Sequence, residues 1–415
     1  MRAALAALLV CLALVSCAPG PAPAAVSAVA TATPAAASPS PAPADTPGPS
    51  ATPSARAIAF PRCAGIAPLD VVAYCLNGAR VDIDAAVGER DVAPLLAQID
   101  DDLAAVQREF EWTLRGTPRI DVYATRDRYV AGLAGVFGYS RATAEYLADN
   151  SVAFFGPALT RMAVSWDAVR DRRPIAAIRH ELTHAITLEA CAPRCDLVPA
   201  WLNEGEARLA EALIPGGDWR LMRVRYEAAS MVATNTLMPL TALWTQSQWN
   251  GIADWAGYYK YQEAARATEL LRADIGERAI ARLYERIRAG SDLARAYAVL
   301  AGRSFDAFLA SLSTRLAADV APGPGIAVIT PGADGQGASF LLYGFAAEAH
   351  VALRIRARHV DETQDLAVSP QGAAFGDLGD DYPPGTYTLT ATIGDTAVSA
   401  TVMKRGGRTR LAVPD

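Results

Sequence analysis

The 415-residue chain has four histidines, and two of them stand in HELTH, residues 180–184. Counted at roughly 100° per residue, His180 and His184 lie about 40° apart on a helix. Ile175, Ile178, Leu182 and Ile186 cluster on the opposite side, so the histidines face away from the apolar stripe. Two imidazoles one turn apart can converge on one metal ion. Glu181 stands beside them, where a carboxylate could take a proton from a water held by that metal. An HExxH match alone competes with the reading of two histidines that merely share a helix face.

A second feature weighs against that reading. Nineteen residues, 185–203, separate His184 from Glu204, which stands in PAWLNEGEA. Here the sequence resembles the gluzincin metallopeptidases, the thermolysin-like and peptidase MA-like families, whose third zinc ligand is a glutamate about twenty residues after the second histidine. Their aminopeptidase branch carries a very similar WLNEGxA string. The resemblance implies that His180, His184 and Glu204 are the ligands of one Zn2+ and that Glu181 is the general base. The chemistry asks for the same set, since three protein ligands leave a fourth position for water, whose pKa zinc lowers to about 7. A tyrosine about fifteen residues before a glycine is frequent in these families, and Tyr261 precedes Gly276 by that interval. It would donate to the oxyanion of the transition state, in competition with Tyr258 and Tyr259. The chain departs from the thermolysin-like pattern at Arg208, where an aspartate would orient a histidine, so that role falls to another group, with Glu211 the candidate. Glu206, at a position often apolar in the peptidase MA-like group, reads as a solvent-facing residue, with lining of the cleft as the alternative. No serine or cysteine constellation for nucleophilic catalysis is evident.

The elements that must position these residues are legible from periodicity. Apolar residues from Val92 to Phe110 recur at three- and four-residue steps, which predicts a helix. RIDVYAT, 119–125, alternates as a strand, and NSVAFFGP and TRMAVSW read as a hairpin or a pair of sheet strands. Helices follow through HELTH and through WLNEGEARLAEAL, and residues 253–318 carry helical pattern broken at Gly276, Gly290 and Gly302. From about Gly323 the helix period gives way to short alternating runs such as SFLLYGF, HVALRIRA and TYTLTATI, which predict an antiparallel β-sandwich. YGFAAEAHVALRI resembles the opening of bacterial immunoglobulin-like modules. His350 and His359 read as surface residues of that part. The expected fold is α+β: a gluzincin-like metallopeptidase domain over 58–322, with a small sheet over the HExxH helix and then a helical bundle, followed by an immunoglobulin-like β-sandwich over 323–415.

Two further segments precede these. MRAALAALLVCLALVSC has one early arginine and an apolar run too short for a retained membrane span, so residues 1–17 read as a signal peptide. LVSC resembles a lipobox, which would make Cys17 the lipid-modified first residue; an ordinary signal peptide with an incidental cysteine is the alternative. Residues 18–57 are almost wholly Ala, Pro, Ser and Thr, with no large apolar set to bury, and read as a disordered tether. In an exported protein the close pairs Cys63 and Cys75, and Cys191 and Cys195, favour disulfides, with a CxxxC metal half-site competing for the second. The net charge of −6 is spread without a basic block, which argues against a nucleic-acid partner.

Together these readings predict a membrane-anchored lipoprotein outside the cytoplasm that hydrolyses peptide or protein substrates. A lipoprotein whose metal site serves binding or assembly without turnover is the competing class, and hydrolysis of a non-peptide amide would use the same chemistry. Retention of Glu181 favours the enzyme, because a structural zinc has no need of a general base.

Overall fold

The computed structural model describes residues 60–404 apart from 65–69, 157–159, 172–173, 215–216, 253, 331–336 and 380. The segments expected to be a signal peptide and a tether, with Cys17 between them, lie outside the described residues.

The first layer is a five-stranded sheet. It is built from β1 (Val71–Cys75), β2 (Arg80–Asp84), β3 (Arg119–Tyr123), β4 (Ala153–Gly156) and β5 (Arg161–Ser165) in the order β1-β2-β3-β5-β4. The inner strands run parallel, and both ends close with an antiparallel pair. The β4–β5 hairpin lies where the sequence pattern places it, whereas β1 and β2 escape that pattern. Their side chains alternate, but one face of β2 carries Arg80 and Asp82, which join Arg119, Asp121 and Arg161 of the neighbouring strands in a ladder of ion pairs. The other face carries Val81 and Ile83 into the core. A disulfide between Cys63 and Cys75 ties the segment before β1 to the end of that strand.

Helix α1 (Glu89–Glu109) packs Leu95, Leu96, Ile99 and Leu103 into the same core. Helices α2 (Arg126–Gly135) and α3 (Arg141–Asn150) contribute Tyr129, Leu133, Ala144 and Leu147 to a smaller cluster with Phe154, and a single turn, α4 (Trp166–Val169), follows β5. Next comes α5 (Ala176–Cys191), the helix of HELTH. It sets Ile178, Leu182 and Ala185 against the sheet and α1, and gives Ile186 and Ala190 to a second, helical core. Serving two cores, α5 has almost no solvent face, and burial of each such aliphatic side chain is worth roughly 1.5–3 kcal/mol.

The helical core is built from α6 (Ala200–Ala212), α7 (Asp218–Ala233), α8 (Gln246–Asn250), α9 (Asp254–Ile275), α10 (Ile280–Arg288), α11 (Leu293–Ala301) and α12 (Phe305–Ala317). Gly276, Gly290 and Gly302 separate the last four at φ of +86°, +96° and +68°, the left-handed conformation that ends a helix cheaply only at glycine. Cys191 and Cys195 form a disulfide between the end of α5 and the turn leading to α6.

The remainder is all strand: β6 (Gly325–Ile329), β7 (Ser339–Tyr343), β8 (His350–Ala357), β9 (Val360–Ala367), β10 (Ala374–Asp377), β11 (Gly385–Ile393) and β12 (Thr396–Lys404). They form two antiparallel sheets, β10-β7-β6 and β12-β11-β8-β9. Phe340 and Leu342 of one sheet share a core with Val351, Leu353, Ile355 and Leu389 of the other. His350 and His359 are exposed, and His350 pairs with Asp365 across the β8–β9 ladder. The whole is a mixed α and β structure. Among the described residues no helix is long and apolar enough to cross a membrane.

Candidate metal centre

The three ligand candidates come from two helices held in close register. On α6, Gly205 makes the approach possible: a Cβ there would lie 2.2 Å from Thr268 Oγ1 and 2.5 Å from the Ala264 carbonyl oxygen of α9. With glycine at that position, α6 and α9 pack backbone to backbone, and the opposite side of Glu204 turns toward α5. His180, His184 and Glu204 each offer a ligand atom, and these atoms all lie within 4.8 Å of one another. Nε2 of both histidines stands 3.7 Å from Glu204 Oε2. That is too long for a hydrogen bond. It is close to the edge of about 3.4 Å expected between ligands of a tetrahedral zinc with bonds of 2.0–2.1 Å.

Burial sharpens the point. His180 is 0 %, His184 6 % and Glu204 1 % exposed, yet Glu204 Oε2 and His184 Nε2 have no hydrogen-bond partner. A buried carboxylate oxygen and a buried imidazole nitrogen left without partners are costly, and a cation between them satisfies both at once. Burial, with His180 adding to it, lowers the His184 pKa to about 4 against the pull of Glu204, so its ring is neutral and its lone pair open to a metal at neutral pH. The donor set fits zinc, and His180, His184 and Glu204 are the residues that would hold it.

The other ring nitrogens are occupied. His180 Nδ1 lies 3.5 Å from Glu211 Oε2, and Glu211 is in turn paired with Arg208 Nη1 at 2.7 Å. Burial alone would raise the Glu211 carboxyl, but Arg208 and His180 hold it well below the usual carboxylate range. Glu211, the candidate for the role left open by Arg208, thus stands beside His180 with Arg208 as its counter-ion. His184 Nδ1 is 3.3 Å from Asn203 Oδ1, which also accepts from Thr187 Oγ1 at 2.8 Å. Asn203 is a residue that sequence reasoning misses, although it stands in the WLNEGEA string.

Glu181 lies beside the ligands, 3 % exposed. Burial pushes its carboxyl up to about 7 against the field of His180, with Glu204 adding to the rise, while the backbone N–H of Phe155 on β4 donates to it. Tyr261 is 8 % exposed, its ring 6.2 Å from that of His180 and edge-on to Trp249 at 4.9 Å. The two competing tyrosines point elsewhere. Tyr258 accepts from Gln262 and lies in the field of Arg223 and Glu227, and Tyr259 bonds to Ser369 of the β region.

The histidine face of α5 is buried with the rest of the helix, because α6 closes over it while α1 and the sheet cover the back. One expectation is corrected. Glu206 does not face solvent. It is 0 % exposed and pairs with Arg272, which also donates to Glu109 at 2.5 Å. Burial pulls the Arg272 guanidinium down, but the two carboxylates outweigh it and keep the charge in place. The second helix, like the first, has protein on both sides, so a charged residue off the metal face still has to find a buried partner.

No family model matches the chain, and no curated protein matches its sequence. Among solved structures, an aminopeptidase N family protein from Idiomarina loihiensis is similar over 81 % of this chain and 67 % of its own length, at 11 % identity and a TM-score of 0.40. At that level of likeness the chemistry of the site rests on its own geometry.

Proposed function

We propose that the chain is a gluzincin-like zinc metallopeptidase that hydrolyses peptide bonds outside the cytoplasm, tethered to a membrane through a lipid at Cys17 and carrying an immunoglobulin-like module at its C-terminal end. The observation that carries the reading is the buried triad of His180, His184 and Glu204, whose ligand atoms lie within 4.8 Å of one another, with His184 Nε2 and Glu204 Oε2 lacking hydrogen-bond partners and a carboxylate, Glu181, next to the group. When bound, the zinc supplies Lewis acidity, polarising a carbonyl and acidifying water. Glu181 takes the proton of the attacking water on its carboxylate and passes it to the leaving amine, held in place by the Phe155 N–H. Tyr261 donates its hydroxyl hydrogen to the oxygen on which negative charge develops.

A purely structural zinc is served poorly by this arrangement, since four protein ligands close such a site, whereas here the fourth neighbour is a buried carboxyl suited to proton transfer. Metal analysis of the purified protein, joined to digestion of an unbiased peptide library, tests the reading: about one zinc per chain and cleavage are expected, and a metal-free, inert protein would end it. The two disulfides fit an oxidising compartment. Cys17→Ser should move the protein out of the membrane fraction or stall its precursor, and an unmodified mature chain beginning beyond Cys17 would overturn the anchor.

A further inference from the structure

The β region is not merely appended to the helical body. Its β10-β7-β6 sheet docks on α7: Ser230 Oγ donates to the Gln371 carbonyl at 2.8 Å and accepts from Gly344 N–H at 3.2 Å, and Thr234 Oγ1 donates to Gln371 at 3.1 Å. The turn that meets α7 is built for the contact. Gly372 has φ +67°, and a Cβ on it would lie 2.2 Å from Thr234 Cγ2 and 2.4 Å from the Phe345 carbonyl oxygen. Leu341, Tyr343 and Ala373 form an apolar patch that packs with Tyr226 and Phe375.

From this interface a chain of polar contacts runs inward. The Phe375 ring of β10 lies 4.1 Å beneath the Arg223 guanidinium, and Trp219 flanks it at 6.0 Å. Arg223 Nε donates to Glu227 Oε1 at 2.8 Å, and Glu227 Oε2 accepts from Gln262 Nε2 at 2.6 Å. Gln262 Oε1 accepts from Arg208 Nε at 3.2 Å, and Arg208 reaches Glu211, the partner of His180. Glu227 and Gln262 are 1 % and 0 % exposed, so neither can exchange its partner for water without opening the body. Four of the six links join two elements, β10 to α7, α7 to α9, α9 to α6 and α6 to α5, while Arg223–Glu227 and Arg208–Glu211 lie within α7 and α6.

We infer that the C-terminal β region is a working part of the metal site: Phe375 clamps Arg223, and through Glu227, Gln262 and Arg208 this holds Glu211 against His180. The arrangement fixes the Nδ1–H tautomer of His180 and leaves its Nε2 turned toward Glu204, the role that outer partners play for metal-ligating histidines. Arg208, Gln262, Glu227 and Arg223 are therefore positioning residues. The inference rests on the metal-site reading above but not on peptide hydrolysis.

Zinc affinity of the full-length chain, measured by competition with a fluorescent chelator, tests it. Arg208→Ala and Phe375→Ala should each weaken zinc binding roughly tenfold or more, the lower range for loss of an outer-shell partner. Phe375→Tyr, which keeps the ring face, should bind as wild type does. Val351→Ala removes core packing in the other β sheet without touching the chain of contacts, so it should lower the melting temperature and leave the affinity alone. Glu227→Gln serves where Phe375→Ala does not fold. Wild-type affinity in folded Arg208→Ala and Phe375→Ala, or equal weakening by Val351→Ala, would overturn the inference with the metal site intact. A wild-type chain that binds no zinc would overturn both.

Discussion

Two glutamates on α6, separated by one residue, are both buried and meet opposite fates. Glu204 faces α5, and its Oε2 stands between two imidazole nitrogens without a hydrogen bond; Glu206 faces away and is paired with Arg272, which Glu109 also holds. Neither carboxylate is exposed, so exposure does not separate function from structure here. The kind of partner does. The front of α6 sets a carboxylate oxygen between two imidazole nitrogens with no hydrogen bond, whereas at the back Glu206 Oε2 has a guanidinium, although Glu206 Oε1, like Glu204 Oε2, lacks a hydrogen-bond partner. The front is recognised by the convergence of its buried ligand atoms, a criterion that applies only once burial is known.

The largest effect should follow removal of the front carboxylate. Glu204→Ala deletes one of three ligands, so zinc content and turnover should both fall to background, as read by metal analysis and peptide cleavage. A Glu204→Ala protein that kept its zinc would mean that the register on α6 has been misread. Next in size is Glu181→Gln, which keeps the shape of the side chain and every ligand. It should retain about one zinc per chain and lose at least about a hundredfold in turnover. Equal rates in the two proteins would remove Glu181 from the mechanism and weaken the contrast between the front of the site and an ordinary structural zinc.

A smaller effect is expected at Tyr261, whose hydroxyl matters only as charge develops. Tyr261→Phe should leave zinc content and fold unchanged and lower kcat roughly ten- to a thousandfold, with KM changing less. Tyr258 and Tyr259 point to Gln262 and to the β region, so their Phe variants should keep most of the turnover. Loss of turnover in either of them, with Tyr261→Phe fully active, would pass the donor role to that neighbour.

How much of this was legible beforehand differs by element. In β8 the exposed His350, Ala352, Arg354 and Arg356 alternate with the buried Val351, Leu353 and Ile355, and a strand with one wet face announces itself. Helical spacing brings His180 and His184 to hand, and the resemblance of WLNEGEA to the gluzincin string adds Glu204. The orientation of everything else on α5 and α6 could not be read, since a helix buried on all sides has no polar face to calibrate against. Glu206 was misplaced for that reason. β2 escapes the pattern because the ion-pair ladder on one face of the sheet makes RVDID resemble a polar loop. Glu211 could be suggested as a substitute partner for a histidine. Its link through Arg208 to Gln262 and on to Glu227 and Arg223 could not, because the steps by way of Gln262 join three helices and leave no trace in local spacing.

The back of α6 offers the subtlest test of the comparison, because there metal binding should not respond at all. Glu206→Ala leaves the Arg272 guanidinium, 7 % exposed, with Glu109 as its remaining partner. Removing one side of a buried ion pair strands the other charge, at a cost of about 3 kcal/mol, the lower end of the usual range because Glu109 persists. Urea unfolding should show that loss while zinc content and turnover stay at wild-type levels. Glu206→Met combined with Arg272→Met removes both buried charges and replaces them with apolar volume. Glu109 is itself partly exposed and can be solvated, so the double variant should recover most of the lost stability. If Glu206→Ala instead released zinc, the two faces of α6 would be coupled, and the division between a metal-binding front and a structural back would have to be abandoned.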